Sequence, residues 1–215
     1  MLKTFSLLDR ALIQADNLLR NFSNQAPDHK TRSNPAASIC DSQNFSAQER
    51  RQSIAMMRVN HSGEVCAQAL YKGQALTARS SQQQAMLNHA AAEENDHLRW
   101  CKQRLTELNA HTSLLNPIWY AGSLSIGALA GMAGDKISLG FLAETEQQVT
   151  KHLESHLAKI SPNDYKSRAI LEQMHADEQQ HAVNAEQAGA VDLPLNIKIL
   201  MRCAAKVLTS TAAKI

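Results

Sequence analysis

The sequence predicts an all-α protein whose centre is a four-helix bundle. Three observations point there. Only 8 glycines and 5 prolines interrupt 215 residues, and the chain is rich in Ala, Leu, Gln and Glu, residues that enter a helix at little loss of freedom. Apolar side chains recur at helical spacing over long stretches. Glu-x-x-His pairs stand at Glu94/His97 and Glu178/His181, and each pair leaves one helix face about one turn apart.

The elements follow in order. Phe5, Leu8, Leu12, Ala15, Leu19 and Phe22 define a short amphipathic helix within 1–22, and the polar, proline-containing stretch 23–45 is a linker. The bundle occupies 46–190. Ser46 with Glu49 three residues later is a capping-box signature. It opens a first core helix near 47–78. A second runs near 81–109, a third from about 135 to before Pro162, and a fourth over 163–188, stopped by Gly189. The segment 110–134 joins the two helical pairs. A basic amphipathic helix, with Lys198, Arg202, Lys206 and Lys214 among apolar residues, closes the domain over 191–215. It suits a membrane surface or partner, and equally a fifth helix packed on the bundle.

From Leu108 to Gly134 there is no Asp, Glu, Lys or Arg. That stretch is long enough for a membrane span of ~20 apolar residues. Asn116, Pro117, several serines and four glycines weaken this reading. A buried crossover and a surface dipping into one leaflet are the alternatives.

Composition excludes several functions. A net charge of +2 is too near neutral for a nucleic-acid partner. Cys40, Cys66, Cys101 and Cys203 form no CxxC pair, so neither a zinc knuckle nor a disulfide framework is expected. Lys3, Asp9 and Arg10 break the apolar run that a secretory signal needs.

A dinuclear carboxylate site in such a bundle takes two Glu-x-x-His pairs and one inward Glu from each remaining helix. Glu64 is the sole acidic residue between Glu49 and Glu93, so the first helix offers no other choice. On the third helix, Val149, Leu153, Leu157 and Ile160 share the face of Glu146. Glu144 and Glu154 share theirs with polar residues such as Gln147 and Lys151. A carboxylate on an apolar face is costly unless paired or metal-bound, which selects Glu146. The same test selects Glu94 over Glu93 and Glu178 over Asp177. The ligand set is therefore Glu64, Glu94, His97, Glu146, Glu178 and His181. The spacings of 30 residues from Glu64 to Glu94 and 32 from Glu146 to Glu178 make the halves a structural repeat. Four carboxylates and two imidazoles suit a pair of first-row metals, iron or manganese.

Asp177 is placed to hydrogen-bond a ligand histidine from the opposite helix pair. His61, one turn before Glu64, fits either a group orienting a ligand or an interior histidine. His152 and His156 are spaced i, i+4 but off the stripe of Glu146, at the surface or a pocket edge. His89, His111 and His175 have no partner predicted from sequence.

The segments "RVNHSGEVCAQALYKGQ", "EENDHLRWC", "ETEQQVTKHLESHL" and "MHADEQQHA" resemble, in order and spacing, the four helix motifs of the bacterial Coq7 family, the di-iron 3-demethoxyubiquinol hydroxylases of ubiquinone biosynthesis. The resemblance covers about 46–215. It implies a ferritin-like fold with membrane-facing helices, and the same six metal ligands. It also implies two iron ions, O2, and a polyprenyl benzoquinol substrate embedded in the membrane, with NADH as electron donor. His152 stands where the family often has a histidine near the quinone, a possible catalytic role beyond the metal centre. Leu153 stands where animal relatives have Tyr. Peripheral attachment to the cytoplasmic side of the inner membrane and contact with other ubiquinone-biosynthesis proteins follow from the same resemblance.

Three competing functions remain: an iron-storage or ferroxidase protein, a di-iron oxidase of a soluble substrate, and a non-enzymatic membrane scaffold. The charge-free segment 108–134 argues against the first. The near-neutral charge argues against a nucleic-acid substrate for the second. Six inward ligands have no use in the third.

Overall fold

The computed structural model describes residues 31–42 and 45–215. The amphipathic helix expected within 1–22 lies outside the described residues. Within the unit Ser33–Ile215 the elements are six helices: α1 Ala47–Thr77, α2 Ser81–Glu107, α3 Asn116–Met132, α4 Asp135–Lys159, α5 Tyr165–Gln187 and α6 Leu195–Ala212. Helix-stabilising side chains mark their starts. Ser46 and Glu49 complete a reciprocal capping box on α1, and Ser80 accepts from the Gln83 amide at the head of α2. Asp164 accepts from the Ser167 amide at the head of α5. Each of these satisfies a backbone N–H that the helix leaves orphaned.

Two hairpins, α1/α2 and α4/α5, form the bundle. Gln52 near the start of α1 donates to the carbonyl of Lys159 at the end of α4 (3.0 Å), while Gln74 near the end of α1 donates to that of Ser138 near the start of α4 (2.6 Å). These two helices therefore run antiparallel. Apolar packing falls into two separate clusters. One gathers Met56, Met57, Trp100, Cys101, Leu105, Leu153, Ile160, Ile170, Leu171 and Met174. The other is built largely from alanines around Leu70, Tyr71, Leu87 and Leu142. The acidic residues of interest lie in the layer between them. Near the first cluster, buried Arg104 donates to Ser167 (2.9 Å), Asp164 (2.8 Å) and Asp41 (3.0 Å), tying α2 to the start of α5 and to the segment before α1.

The charge-free segment contains a helix, α3, and it is neither a span nor a buried crossover. Among the described residues no helix is long and apolar enough to cross a membrane. One face of α3 presses directly on α1. A β-carbon added at Gly127 would lie 2.1 Å from the Leu70 carbonyl oxygen, and one at Gly73 would lie 2.2 Å from that of Leu124. Only glycine permits so close an approach of two backbones. The other face leaves Ile118 (66%), Leu129 (65%) and Met132 (63%) exposed. Of α6, Ala212 alone is buried, so it is not a fifth core helix; it lies against the bundle with Leu195, Leu200 and Val207 exposed.

At the foot of the bundle, Glu49 accepts from Ser161 and Asn163 as well as capping α1, so one carboxylate joins the start of α1 to the α4–α5 turn. Hydrogen bonds from Ser161 and Ser46 lower its pKa from 4.5 to about 2. A depressed carboxyl stabilises the fold above its unfolded pKa, and that contribution disappears as pH falls through the folded value. Glu49→Gln is expected to lower the midpoint of thermal unfolding at pH 7. Its difference from wild type should shrink between pH 4.5 and about 2. Melting curves across that range check this; a constant difference would contradict it.

Candidate metal centre

The middle layer of the bundle brings the six sequence-predicted residues together. Ligand atoms of Glu64, Glu94, His97 and Glu178 all lie within 4.8 Å of one another, and so do those of Glu94, Glu146, Glu178 and His181. All six are buried. Glu94 and Glu178 belong to both groups, so the arrangement is two adjoining four-residue sites with two shared carboxylates. Each helix contributes as its periodicity dictates. Leu153 and Ile160, on the stripe of Glu146, are buried at 1% and 4%, whereas Glu144, half-buried, faces Lys198 of α6 (3.3 Å) and Glu154 faces His175 (3.3 Å) at the surface.

The imidazoles are turned the same way. His97 directs Nδ1 at Glu94 and Glu178 (both 3.1 Å), and its Nε2 meets Asp177 at 2.9 Å. His181 directs Nδ1 at Glu178 (3.1 Å) and Glu146 (3.5 Å), and its Nε2 meets Glu93 at 2.8 Å. An imidazole that gives Nε2–H to a carboxylate presents the Nδ1 lone pair to the centre, the tautomer a metal requires. The contacts cross between hairpins, because Asp177 on α5 holds the histidine of α2 and Glu93 on α2 holds that of α5. Asp177 matches the partner expected from sequence. Glu93, the outward neighbour of Glu94 by the periodicity of its own helix, is not selected by the sequence pattern. The signal was present, since Glu93 precedes Glu94 just as Asp177 precedes Glu178.

Tyr71 is a second residue that sequence reasoning missed. It lies two turns after Glu64 on the same face of α1, is fully buried, and donates its hydroxyl to Glu146. Burial, reinforced by the charges of Glu146, Glu94 and Glu178, pushes the phenol well above its usual range, so it remains a donor.

The electrostatics test whether these residues fit a pair of cations. Burial and then the neighbouring Glu178 push Glu146 up to about 8, and Glu94 is raised by burial with Glu178 and Glu64 beside it. Against the opposing effect of burial, the surrounding carboxylates raise both His97 and His181, with Asp177 foremost for the former and Glu146 for the latter. Glu146, Glu94 and both imidazoles thus respond to an excess of buried negative charge, while Glu178 is held low, against burial, by hydrogen bonds from His181 and His97. Among the described residues, Glu94 Oε1 and Glu146 Oε2 are buried without a hydrogen-bond partner. Orphaned acceptors in an over-acidic pocket are what two divalent cations satisfy, and the N/O donor set suits first-row metals.

The remaining histidines lie elsewhere. His61 is an interior residue accepting from Asn116 (3.2 Å), and burial lowers it to about 3. His152 packs against His156 with tilted rings, centroids 4.0 Å apart, on α4 and outside both four-residue groups. Burial lowers each of them, His156 to about 3. His89 contacts Glu93 at 3.2 Å, a partnership not predicted from the sequence.

Comparison with known proteins adds three findings. A family model described as "Ubiquinone biosynthesis protein COQ7" matches residues 51–212. A protein of Nitrosococcus oceani named 3-demethoxyubiquinol 3-hydroxylase is 57% identical over 210 residues, covering 98% of this chain and 97% of its own. Proteins of the same name from Legionella pneumophila strain Corby and Chromobacterium violaceum are 52% and 48% identical, covering 98% and 97% of this chain and 99% and 100% of their own. Among solved structures, the dodecameric thioferritin related to bacterioferritin from Bacteroides fragilis aligns with a TM-score of 0.51 at 17% identity. That alignment covers 64% of this chain and 84% of that one and supports the ferritin-like fold alone.

Because Glu178 is shared by both groups, Glu178→Ala should remove most bound metal. Glu144→Ala, on the polar face of α4, should retain it. Elemental analysis of the purified proteins decides between them, and a Glu178→Ala protein holding two ions per chain would refute the site.

Proposed function

The chain belongs to the COQ7 family of ubiquinone biosynthesis proteins, and from that premise we propose how its own residues carry the activity for which its relatives are named. The protein is a 3-demethoxyubiquinol 3-hydroxylase. It transfers one atom of O2 to the ring of a demethoxy quinol while two electrons and two protons convert the other to water. The observation that carries this reading is the pair of overlapping ligand groups sharing Glu94 and Glu178.

In this reading Glu64, Glu94, His97, Glu146, Glu178 and His181 are the metal ligands and the metal is iron. Two iron ions supply the redox chemistry of O2 when bound. The protein's part is to hold the ligands still. Glu94 and Glu178, which belong to both ligand groups, would serve both ions. Tyr71 fixes one oxygen of Glu146 and leaves the other turned inward without a partner. Asp177 and Glu93 orient the imidazoles. The apolar layers on either side exclude bulk water and strengthen each of these contacts.

A polyprenyl quinol is confined to the bilayer, so the enzyme acts there as a peripheral protein on the cytoplasmic face of the inner membrane. The apolar faces of α3 and α6 support this. Ile118, Leu129 and Met132 on one helix and Leu195, Leu200 and Val207 on the other are exposed, and Lys206 and Arg202 flank the second. Such a pattern suits burial at the headgroup boundary with basic residues at anionic lipid. Arg58 ties the segment before α3 to the end of α6 by donating to the carbonyls of His111 (3.0 Å) and Ala213 (3.5 Å). NADH is the proposed reductant. We propose that it reduces the centre by way of the quinone bound at the site. Other ubiquinone-biosynthesis proteins are the proposed partners for delivering that quinone.

A strain lacking this gene should accumulate a demethoxy quinone, and the wild-type gene should restore ubiquinone where Glu146→Ala does not. Normal quinone content in the deletion strain would overturn the assignment. The purified protein should co-sediment with anionic liposomes, and truncation after 193 should weaken this; unchanged binding would exclude α6 from the membrane surface.

A further inference from the structure

The two clasps on the ligand histidines have the same design but different surroundings. On the His97 side the imidazole is fully buried, and Asp177 is held by the Gln173 amide at 2.9 Å. On the His181 side the imidazole is 7% exposed, and Glu93 is held by His89, whose side chain is 69% exposed. A cavity of about 40 Å³ lies on this second side, lined by Met86, His89, Glu93, Leu142, His181 and Asn184. That is room for a water or a single ion. Its polar lining runs in a row: His89 Nδ1 lies 3.2 Å from Glu93 Oε2, which lies 2.8 Å from His181 Nε2. His181 Nδ1 in turn faces Glu178 and Glu146. The His97 imidazole is fully buried, against 7% exposure for that of His181.

We propose that the position formed by Glu94, Glu146, Glu178 and His181 is the exchangeable half of the dinuclear centre, loaded and emptied through this cavity with Glu93 as the positioning residue that holds His181 in place. The inference rests on the dinuclear reading of the six ligands. A carboxylate and an imidazole four residues apart on α2 offer an incoming divalent ion an N/O pair at the cavity mouth. Glu93 then exchanges a contact to that ion for the hydrogen bond that locks His181 behind it. On the other side His97 is fully buried, whereas His181 is 7% exposed beside the cavity, so the ion beside His97 is the retained one. Outer partners of ligand histidines carry about 10–100-fold of metal affinity, so the loss of either clasp should appear at one position and spare the other.

The experiment uses the full-length protein stripped with a chelator and reloaded with Co2+, whose visible spectrum reports each site. Wild type should bind two ions and release them to excess chelator in two phases. Glu93→Ala should weaken one ion by about 10–100-fold, speed the fast phase and leave the slow phase unchanged. Glu93→Gln, which still accepts a hydrogen bond, should recover part of the loss and guards against misfolding of the Ala variant. Asp177→Asn should act on the slow phase instead, and His89→Ala should alter the loading rate of the fast ion alone. Release in a single phase, or a Glu93 variant that affects both ions or neither, would overturn the inference and leave the metal site standing. A wild-type chain that takes up no Co2+ would overturn both.

Discussion

Burying four carboxylates in one layer of a helical bundle is the constraint on which the rest of the structure depends. An isolated carboxylate taken out of water is strongly destabilised, and several together repel one another as well. The upward displacement of Glu146 and Glu94, and of the imidazoles beside them, records that demand for positive charge. Helix length, capping and the separation of two apolar clusters can all be understood as the frame that keeps this layer shut. The large residues around Trp100 and Leu171 close one side, and the alanine-rich cluster around Leu87 closes the other.

The layer also joins the halves of the protein. Each hairpin brings one Glu-x-x-His pair, and each pair is completed by the acid preceding the glutamate of its mate. Removing either hairpin would leave the other with unpaired acids and an unclasped imidazole. The hairpins are thus bound by polar complementarity at the centre and by apolar packing on either side, with the Arg104 contacts to Asp164 and Ser167 pinning one end. Helix α3 is fastened differently, backbone against backbone along the glycines, which frees its other face from any duty within the bundle.

Much of this was legible in the sequence because period and chemistry agree. The α1 and α2 boundaries fall within two residues of the structure, since Ser46, Ser80 and the breaks after each helix are local signals. Glu146 stood out because its neighbours one turn away are apolar. What escaped has a physical reason. Tyr71 reads as an ordinary aromatic core residue, and its hydroxyl has meaning only once α4 brings Glu146 opposite. Glu93 was judged outward from the periodicity of its own helix, whereas its partner is carried by another. The segment 110–134 had too many small and polar residues for its apolar character to decide among three alternatives. Its helix depends on contact with α1, a long-range fact that local pattern does not contain.

The sulfur content of the large apolar cluster carries a consequence of its own. Met57, Met174 and Cys101 are fully buried there, with Cys101 Sγ 3.7 Å from Met174 Sδ, and Cys101 senses the charges of Glu64 and His97. Thioethers and thiols pack well because they are soft and adaptable. They are also the side chains most readily oxidised, and a sulfoxide here would be a polar group with no water and no donor to receive it. A centre that handles dioxygen thus has readily oxidised side chains in its neighbouring core. In turnovers where reductant and oxygen fall out of step, these sulfur atoms would be the nearest oxidisable groups in the core, and the lifetime of each molecule would then depend on how tightly its chemistry is coupled.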